Sequence, residues 1–297
     1  MQTSSLHLFC CRTCDERGTY MGYASKLETA STLALVSHLP IEEQFPALAE
    51  VGIKWGEFSY SFDYYMNTLD FPKNAEKYAK MASDAGVGLW SLHLPFSSCG
   101  LDISQTKAAW RSYANYTNRV LIDAAGEIGV KVIVMHPSSE PIAEDDREGR
   151  KKWCREMVMQ FAEQCDRFGM RLAVENLPRT CLCNTAAEMV EILSGTGAGV
   201  VFDTNHSLKQ DNPSFIREIT DAGLKIISLH ISDYDFVDER HRLPGDGVND
   251  WAAILRELER AGYAGPLLYE VGRYPKERDA VTPEMVAENM KWLKSVY

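Results

Sequence analysis

The chain has 297 residues and a formal net charge of −11, with 45% hydrophobic and 25% charged residues. This balance is ordinary for a soluble globular protein, and a chain of this length can bury a sizeable core without disulfides. No apolar run approaches the roughly 18 residues that a membrane span needs. We therefore do not expect a membrane as partner. The acidic charge repels polyanions, so we do not expect a nucleic acid either.

The N-terminal segment and the cysteines indicate the compartment. The first residues, MQTSSLHLFCCRTCDERG, lack a basic region followed by an apolar stretch, so they do not resemble a secretory signal. The pairs Cys11-x-x-Cys14 and Cys181-x-Cys183 have no matching pair or histidine at the spacing of a zinc finger. We therefore expect reduced thiols rather than a disulfide framework, and a cytoplasmic location.

Short apolar runs alternate with longer amphipathic stretches from about residue 32 onward. The near-continuous apolar character of the runs is typical of parallel strands covered on both faces. No G-x-G-x-x-G follows the first run, which disfavours a doubly wound sheet. The pattern predicts a single-domain α/β fold, a (β/α)8 TIM barrel over residues 31–297, preceded by an N-terminal extension, residues 1–30. The predicted strands are 32–38, 53–60, 87–95, 130–137, 170–178, 198–206, 225–233 and 265–272; helical patterns include 41–52, 74–86, 105–129, 147–169, 185–195 and 250–262.

Polar side chains close most of the predicted strands. Active sites of TIM barrels lie at the C-terminal ends of the strands, so these side chains should meet at one mouth. Singly, each could be a satisfied polar group, and Asp203 could cap the next helix. Together they would be costly to desolvate unless a cation neutralised them, which predicts a divalent metal ion. The residues, in strand order from the third to the eighth, are His93, His136, Glu175, Asp203, His230 and Glu270; His38 closes the first strand, and His206 and His241 follow the sixth and seventh.

An ordered series of motifs, one per strand, resembles the xylose isomerase-like TIM barrels. This family includes sugar and sugar phosphate isomerases and epimerases, among them D-tagatose 3-epimerase, and also endonuclease IV. The resemblance extends from about residue 32 to the end of the chain. The motifs are WGEFSY around Glu57, LHLPF at His93, MHP at His136, VENLPR at Glu175, FDTNH at 203–206, LHISD at His230, RHRLPGDGVNDW at 240–251 and YEVG at Glu270.

The resemblance to the epimerases implies one divalent metal ion and a pair of catalytic glutamates. The oxygen-rich ligand set favours Mn²⁺, Mg²⁺ or Co²⁺, and Zn²⁺ remains compatible with it. Proton transfer beside a carbonyl through a cis-enediolate needs a Lewis acid and an acid/base group on each face of the carbon. The implied ligands are Glu175, Asp203, His230 and Glu270; the implied acid/base pair is Glu175 and Glu270; and the implied substrate-binding residues are His93, His136, His206, Arg240 and His241.

Two other activities stay open. Endonuclease IV has a trinuclear metal site, and this chain nearly matches its larger ligand set, with Glu239 where that family has aspartate. The acidic charge and the lack of a basic stripe weigh against a DNA substrate. A metal-dependent lyase or dehydratase acting on an inositol or keto-sugar would begin from the same metal-bound enolate as an isomerase. A barrel that only binds a ligand is the non-enzymatic alternative.

The loops after the last two strands bear on the substrate class. No glycine motif for phosphate follows the seventh or eighth strand, which favours a free sugar or keto-sugar over a phosphate ester. Proteins of this type often associate, so a homo-oligomer is compatible with the sequence.

Overall fold

The computed structural model describes residues 22–96, 101–271 and 281–297, and within them it has eight parallel strands in one sheet. Each strand pairs with its neighbours along the chain, from β1 to β7, and β8 pairs with β1. The predicted TIM barrel is therefore confirmed. The strands are β1 Thr29–Thr32, β2 Trp55–Ser59, β3 Gly88–His93, β4 Val132–Met135, β5 Arg171–Glu175, β6 Gly199–Asp203, β7 Ile226–His230 and β8 Leu267–Tyr269.

The barrel closes between its seventh and eighth strands. Ile231, the residue after β7, forms an isolated parallel bridge with Tyr269. Its backbone N–H donates to the Leu268 carbonyl at 2.8 Å, and its carbonyl accepts from the Glu270 N–H at 3.2 Å. Closure therefore occurs at the C-terminal end of β8 and fixes the backbone beside Glu270.

Helices follow the strands and form the outer layer. Four of them begin at a residue whose side chain accepts a hydrogen bond from a backbone N–H of the first turn, namely Thr185, Asp211, Asp250 and Thr282. Among the described helices, none combines the length and apolar character that crossing a bilayer requires. The helices are α1 Ile41–Glu50, α2 Phe71–Asp84, α3 Ala108–Glu127, α4 Arg147–Arg167, α5 Ala186–Leu193, α6 Asn212–Asp221, α7 Trp251–Arg260 and α8 Pro283–Val296.

The core has two parts. A large cluster lies between the strands and the helices, with Phe45, Phe58, Phe161 and Phe202 fully buried in it. A smaller cluster of Val132, Val134, Ala173, Val201 and Ile227, with Trp90 packed against it, forms a second apolar layer. Branched apolar side chains of this kind are what fills the inside of a TIM barrel. Beyond these residues toward the C-terminal ends, the strands carry the polar residues of the mouth.

The first strand differs from its prediction. The strand covers Thr29–Thr32, not 32–38, and Leu33–Val36 forms a 3-10 turn. Leu33, Leu35 and Val36 are nevertheless buried, because an apolar run can enter the core as a turn as well as a strand. His38 is exposed after this turn, so the expectation that it closes the first strand is wrong. Most of the predicted N-terminal extension, residues 1–21, lies outside the described residues, as do Cys11 and Cys14.

Candidate active site at the barrel mouth

Among the described residues, histidine and carboxylate side chains meet at the C-terminal mouth in three groups. Within each group, one potential ligand atom per residue lies within 4.8 Å of the others. We call them the inner, side and outer groups. The inner group is Glu175, Asp203, His230 and Glu270; the side group is His93, His136 and Glu175; and the outer group is His206, Glu239 and His241.

Consecutive strands position the inner group. Glu175, Asp203 and His230 are the last residues of β5, β6 and β7, and Glu270 follows β8. His230 Nδ1 lies 3.0 Å from a Glu175 oxygen and 3.3 Å from a Glu270 oxygen. The side chains of the first three are at most 1% exposed, whereas Glu270 is 21% exposed. The group is therefore a buried cluster that opens to solvent at Glu270.

Asp203 carries an unsatisfied oxygen in this cluster. One carboxylate oxygen, Oδ1, accepts from the Asn205 backbone N–H at 2.5 Å. The other, Oδ2, is buried and has no hydrogen-bond partner among the described residues; His206 Nδ1 lies 3.5 Å from it. A buried oxygen left this way costs free energy, and a bound cation would satisfy it.

The carboxylates of the inner group affect each other's proton affinity. Burial, together with the charges of Glu270 and Glu175, raises the pKa of Asp203 well above its usual value. Burial alone would also raise the pKa of Glu175, but the charges of His230 and His136 hold it well below its usual range. Burial and the charge of Glu175 would raise the pKa of Glu270, but the charges of His230, His241 and His93 together lower it. Three carboxylates this close together are the environment that a multivalent cation stabilises.

Glu175 joins the inner and side groups. Its Oε1 faces His230, and its Oε2 lies 3.2 Å from Nε2 of both His93 and His136. The His93 and His136 rings meet edge to face, with centroids 4.9 Å apart. The two oxygens of one carboxylate can therefore each serve a different group.

Backbone carbonyls fix the orientation of three histidines. A carbonyl can only accept, so the ring nitrogen beside it carries the proton. Nδ1 of His93, His206 and His241 lies 2.8, 2.9 and 3.1 Å from the carbonyls of Leu94, Asn176 and Glu270, respectively. In the neutral form of each ring, the lone pair is therefore on Nε2. Histidines that ligate metals have this arrangement, with one nitrogen held by an acceptor and the other free.

Glu57 is a buried member of the site that the sequence analysis did not assign. It lies within β2, is fully buried, and both of its carboxylate oxygens lie 3.2 Å from His230 Nε2. Ser91 of β3 donates to one of these oxygens at 2.5 Å. The signal in the sequence is a charged residue in the middle of an apolar strand, where an unpaired carboxylate would be unstable.

The outer group lies in the loops that follow β6 and β7. His206 Nε2 is 3.7 Å from a Glu239 oxygen, and His206 and His241 are T-shaped neighbours. Both backbone N–H groups of Arg240 and His241 donate to the side-chain oxygen of Asn205. This contact holds the β7 loop over β6 and accounts for the position of His241, whose φ of 45° is in the left-handed region.

Arg179 supplies a cation to the outer group. Its guanidinium lies 3.0 Å from Glu239, 2.5 Å from Glu140 and 2.7 Å from Asp238. These carboxylates raise the pKa of Arg179 further. The three acidic residues come from the loops after β4 and β7, so Arg179 ties those loops to the loop after β5.

A cavity of about 240 Å³ opens onto the groups. Of the predicted substrate-binding residues, His136, His206 and His241 line it, and both predicted catalytic glutamates do so as well. His93 does not line the cavity; its Nε2 contacts Glu175, which does. The Arg240 side chain pairs with Asp235 at 2.6 Å and does not line the cavity. Its remaining lining includes Phe96, Ser138, Glu140, Leu177, Pro178, Arg179, Cys181 and Glu239.

A family model described as a xylose isomerase-like TIM barrel matches residues 45–296. The chain belongs to this family. A curated relative, an uncharacterized protein of Methanocaldococcus jannaschii, is 26% identical over 192 residues, 60% of this chain and 63% of that protein. The match thus spans less than two thirds of the relative's length.

Solved structures of sugar epimerases have the same fold as this family member. A D-tagatose 3-epimerase-like protein superposes with a TM-score of 0.77 at 20% identity, over 91% of this chain and 97% of the other. A D-psicose 3-epimerase determined in the presence of D-fructose gives 0.75 at 19% identity, over 91% and 99%. The superpositions establish a common barrel fold. At this low identity, the activity has to be inferred from the side chains of the mouth.

Those side chains fit a divalent metal ion. The inner group offers three carboxylates and one imidazole, which are hard donors, and the buried Oδ2 of Asp203 lacks a partner. Among the described residues, no Lys or Arg side chain pairs with Glu175, Asp203 or Glu270, and histidines are the groups that balance their charge. An ion bound by the four inner-group residues would add positive charge beside these carboxylates.

Proposed function

We propose that this family member is a divalent-metal-dependent enzyme that isomerises or epimerises a sugar or keto-sugar. The observation that carries the proposal is the placement of two glutamates, Glu175 and Glu270, in one buried ligand cluster that borders a small cavity. The proposed ligands are Glu175, Asp203, His230 and Glu270. The similarity to proteins named as sugar epimerases supports the choice of substrate class.

The bound ion would act as a Lewis acid for the negative charge that develops on substrate oxygens. The glutamates would move the proton. Both have lowered pKa values, so each is ionised at neutral pH and can accept a proton. Glu270 is the more exposed of the two, and both line the cavity. We infer that one glutamate removes the proton bonded to carbon and the other returns one to the opposite face.

The remaining lining residues would orient the substrate and limit water. The Phe96 ring stacks on His136 with centroids 4.2 Å apart and gives the cavity an apolar wall. His206 and His241 face it with ring nitrogens whose other side is held by a backbone carbonyl. A cavity of about 240 Å³ suits a single sugar rather than a polymer.

Solvent exchange tests this function directly. The protein loaded with Mn²⁺ is incubated in D₂O with a panel of ketoses and inosoles, and deuterium at carbon is followed by NMR. An isomerase or epimerase incorporates deuterium and yields an isomer, whereas a lyase or dehydratase yields a product that has lost water or a fragment. Failure of every substrate to exchange, with metal bound, would contradict the proposed proton transfer.

A second candidate, an endonuclease IV-like nuclease, is favoured by the presence of three ligand groups rather than one. Glu175 lies between two of them, as a bridging ligand would. The ion pair of Arg179 with Glu239 opposes this candidate, because it already balances the carboxylate of the outer group. Metal analysis decides between the two: about three ions per chain, with incision of a duplex that contains an abasic site, would establish the nuclease.

A further inference from the structure

The contacts of His230 differ from those of the three histidines that backbone carbonyls hold. His230 presents Nδ1, not Nε2, to the carboxylates of the inner group. Its Nε2 faces a side chain from the other side of the barrel, Glu57 of β2. The orientation of this ring therefore depends on a residue that substitution can remove.

Glu57 is enclosed by the barrel and has few side-chain contacts. It is fully buried, and the described residues that contact its oxygens are His230 and Ser91. Ser91 Oγ donates to Oε2, so it orients the carboxylate within the barrel. Glu57 is not among the residues that line the cavity.

We propose that Glu57 is a positioning residue for the metal site: it accepts the Nε2 proton of His230 and so keeps the Nδ1 lone pair directed at the ion. A carboxylate in this place fixes the tautomer and raises the basicity of the imidazole. Without it, the proton could sit on Nδ1, and a protonated nitrogen cannot ligate. This inference rests on the proposed metal site and adds a residue to it.

Mn²⁺ binding by calorimetry tests the proposal through the substitution Glu57→Gln. Loss of a carboxylate that hydrogen-bonds a metal-ligating histidine typically lowers metal affinity about 10- to 100-fold. We expect a decrease of this size. Glu257→Gln is the matched control, since Glu257 is a buried glutamate of α7 that pairs with Arg217 and Arg260, away from the mouth. The control should bind Mn²⁺ like the wild type.

The outcomes separate the two proposals. Wild-type protein that binds no Mn²⁺ would overturn the metal site and this inference with it. Wild-type binding with an unchanged affinity in a folded Glu57→Gln variant would overturn only the function of Glu57.

A second measurement needs no variant and therefore does not depend on its folding. Wild-type protein labelled with ¹⁵N-histidine is loaded with Zn²⁺ and examined by long-range ¹H–¹⁵N NMR. We expect one ring with Nδ1 bound to the ion and a solvent-protected proton on Nε2, the reverse of the rings held by backbone carbonyls. Spectra in which every metal-bound ring is coordinated through Nε2 would overturn the proposal.

Discussion

The inner and outer groups of the mouth contain similar residues but balance their charge differently. The inner group is buried and, among the described residues, has no Lys or Arg partner for its three carboxylates. The outer group is more exposed, and its one carboxylate, Glu239, pairs with Arg179. Under the proposed function, the inner group is the one that would need an added cation. We therefore expect one tightly bound metal ion per chain.

The largest expected effect is on metal content. Asp203→Ala removes a proposed ligand and, with it, a buried oxygen that has no hydrogen-bond partner among the described residues. We expect the tightly bound ion to be lost, which elemental analysis after dialysis would measure. A metal content equal to that of the wild type would refute Asp203 as a ligand.

The next effect is on turnover. Glu270→Gln replaces the carboxylate proposed to accept the proton with a neutral amide, and positioned acid/base groups typically contribute about 10²- to 10⁴-fold to the rate. We expect a decrease of that size in deuterium exchange at carbon, with a melting temperature close to that of the wild type. Glu288→Gln, an exposed glutamate of α8, is the control and should exchange normally. Normal exchange in Glu270→Gln would exclude its acid/base function.

A smaller effect is expected from the outer group's cation. Arg179→Met leaves Glu239, Glu140 and Asp238 without their shared guanidinium. Exposed pairs are individually weak, so we expect roughly a 3- to 10-fold gain in the affinity of a second, weak Mn²⁺ site. Titration followed by electron paramagnetic resonance would measure it. A second site that is already tight in the wild type would show that Arg179 does not replace an ion.

The smallest effect is expected from Glu239→Gln. Because Glu239 belongs to the outer group and contacts no inner-group carboxylate, the variant should retain the tight ion with an affinity within about twofold of the wild type. Calorimetry with Mn²⁺ provides the comparison. Loss of the tight ion would mean that the two groups form one metal centre, as the nuclease requires.

Much of this arrangement was predictable from local patterns. Eight apolar runs separated by amphipathic stretches predicted the barrel, and the polar residues that end the runs predicted which residues meet at the mouth. The prediction works because parallel strands bring all their carboxyl ends to one face. It was wrong at the first strand, where Leu33–Val36 is buried as a turn. An apolar run indicates that its residues are buried, but it does not specify whether the backbone is a strand or a turn.

The fold and most residues of its mouth follow from the sequence, because the period and the ends of the apolar runs set both; Glu57, inside a run, does not follow from them. The contacts among those residues are visible in the folded protein alone. Closure of the barrel brings Glu57 of β2 against His230 of β7, and loop packing places Arg179 beside Glu239. Neither contact has a local signal, because the paired residues are far apart in the chain and meet only when eight strands curve into a closed sheet.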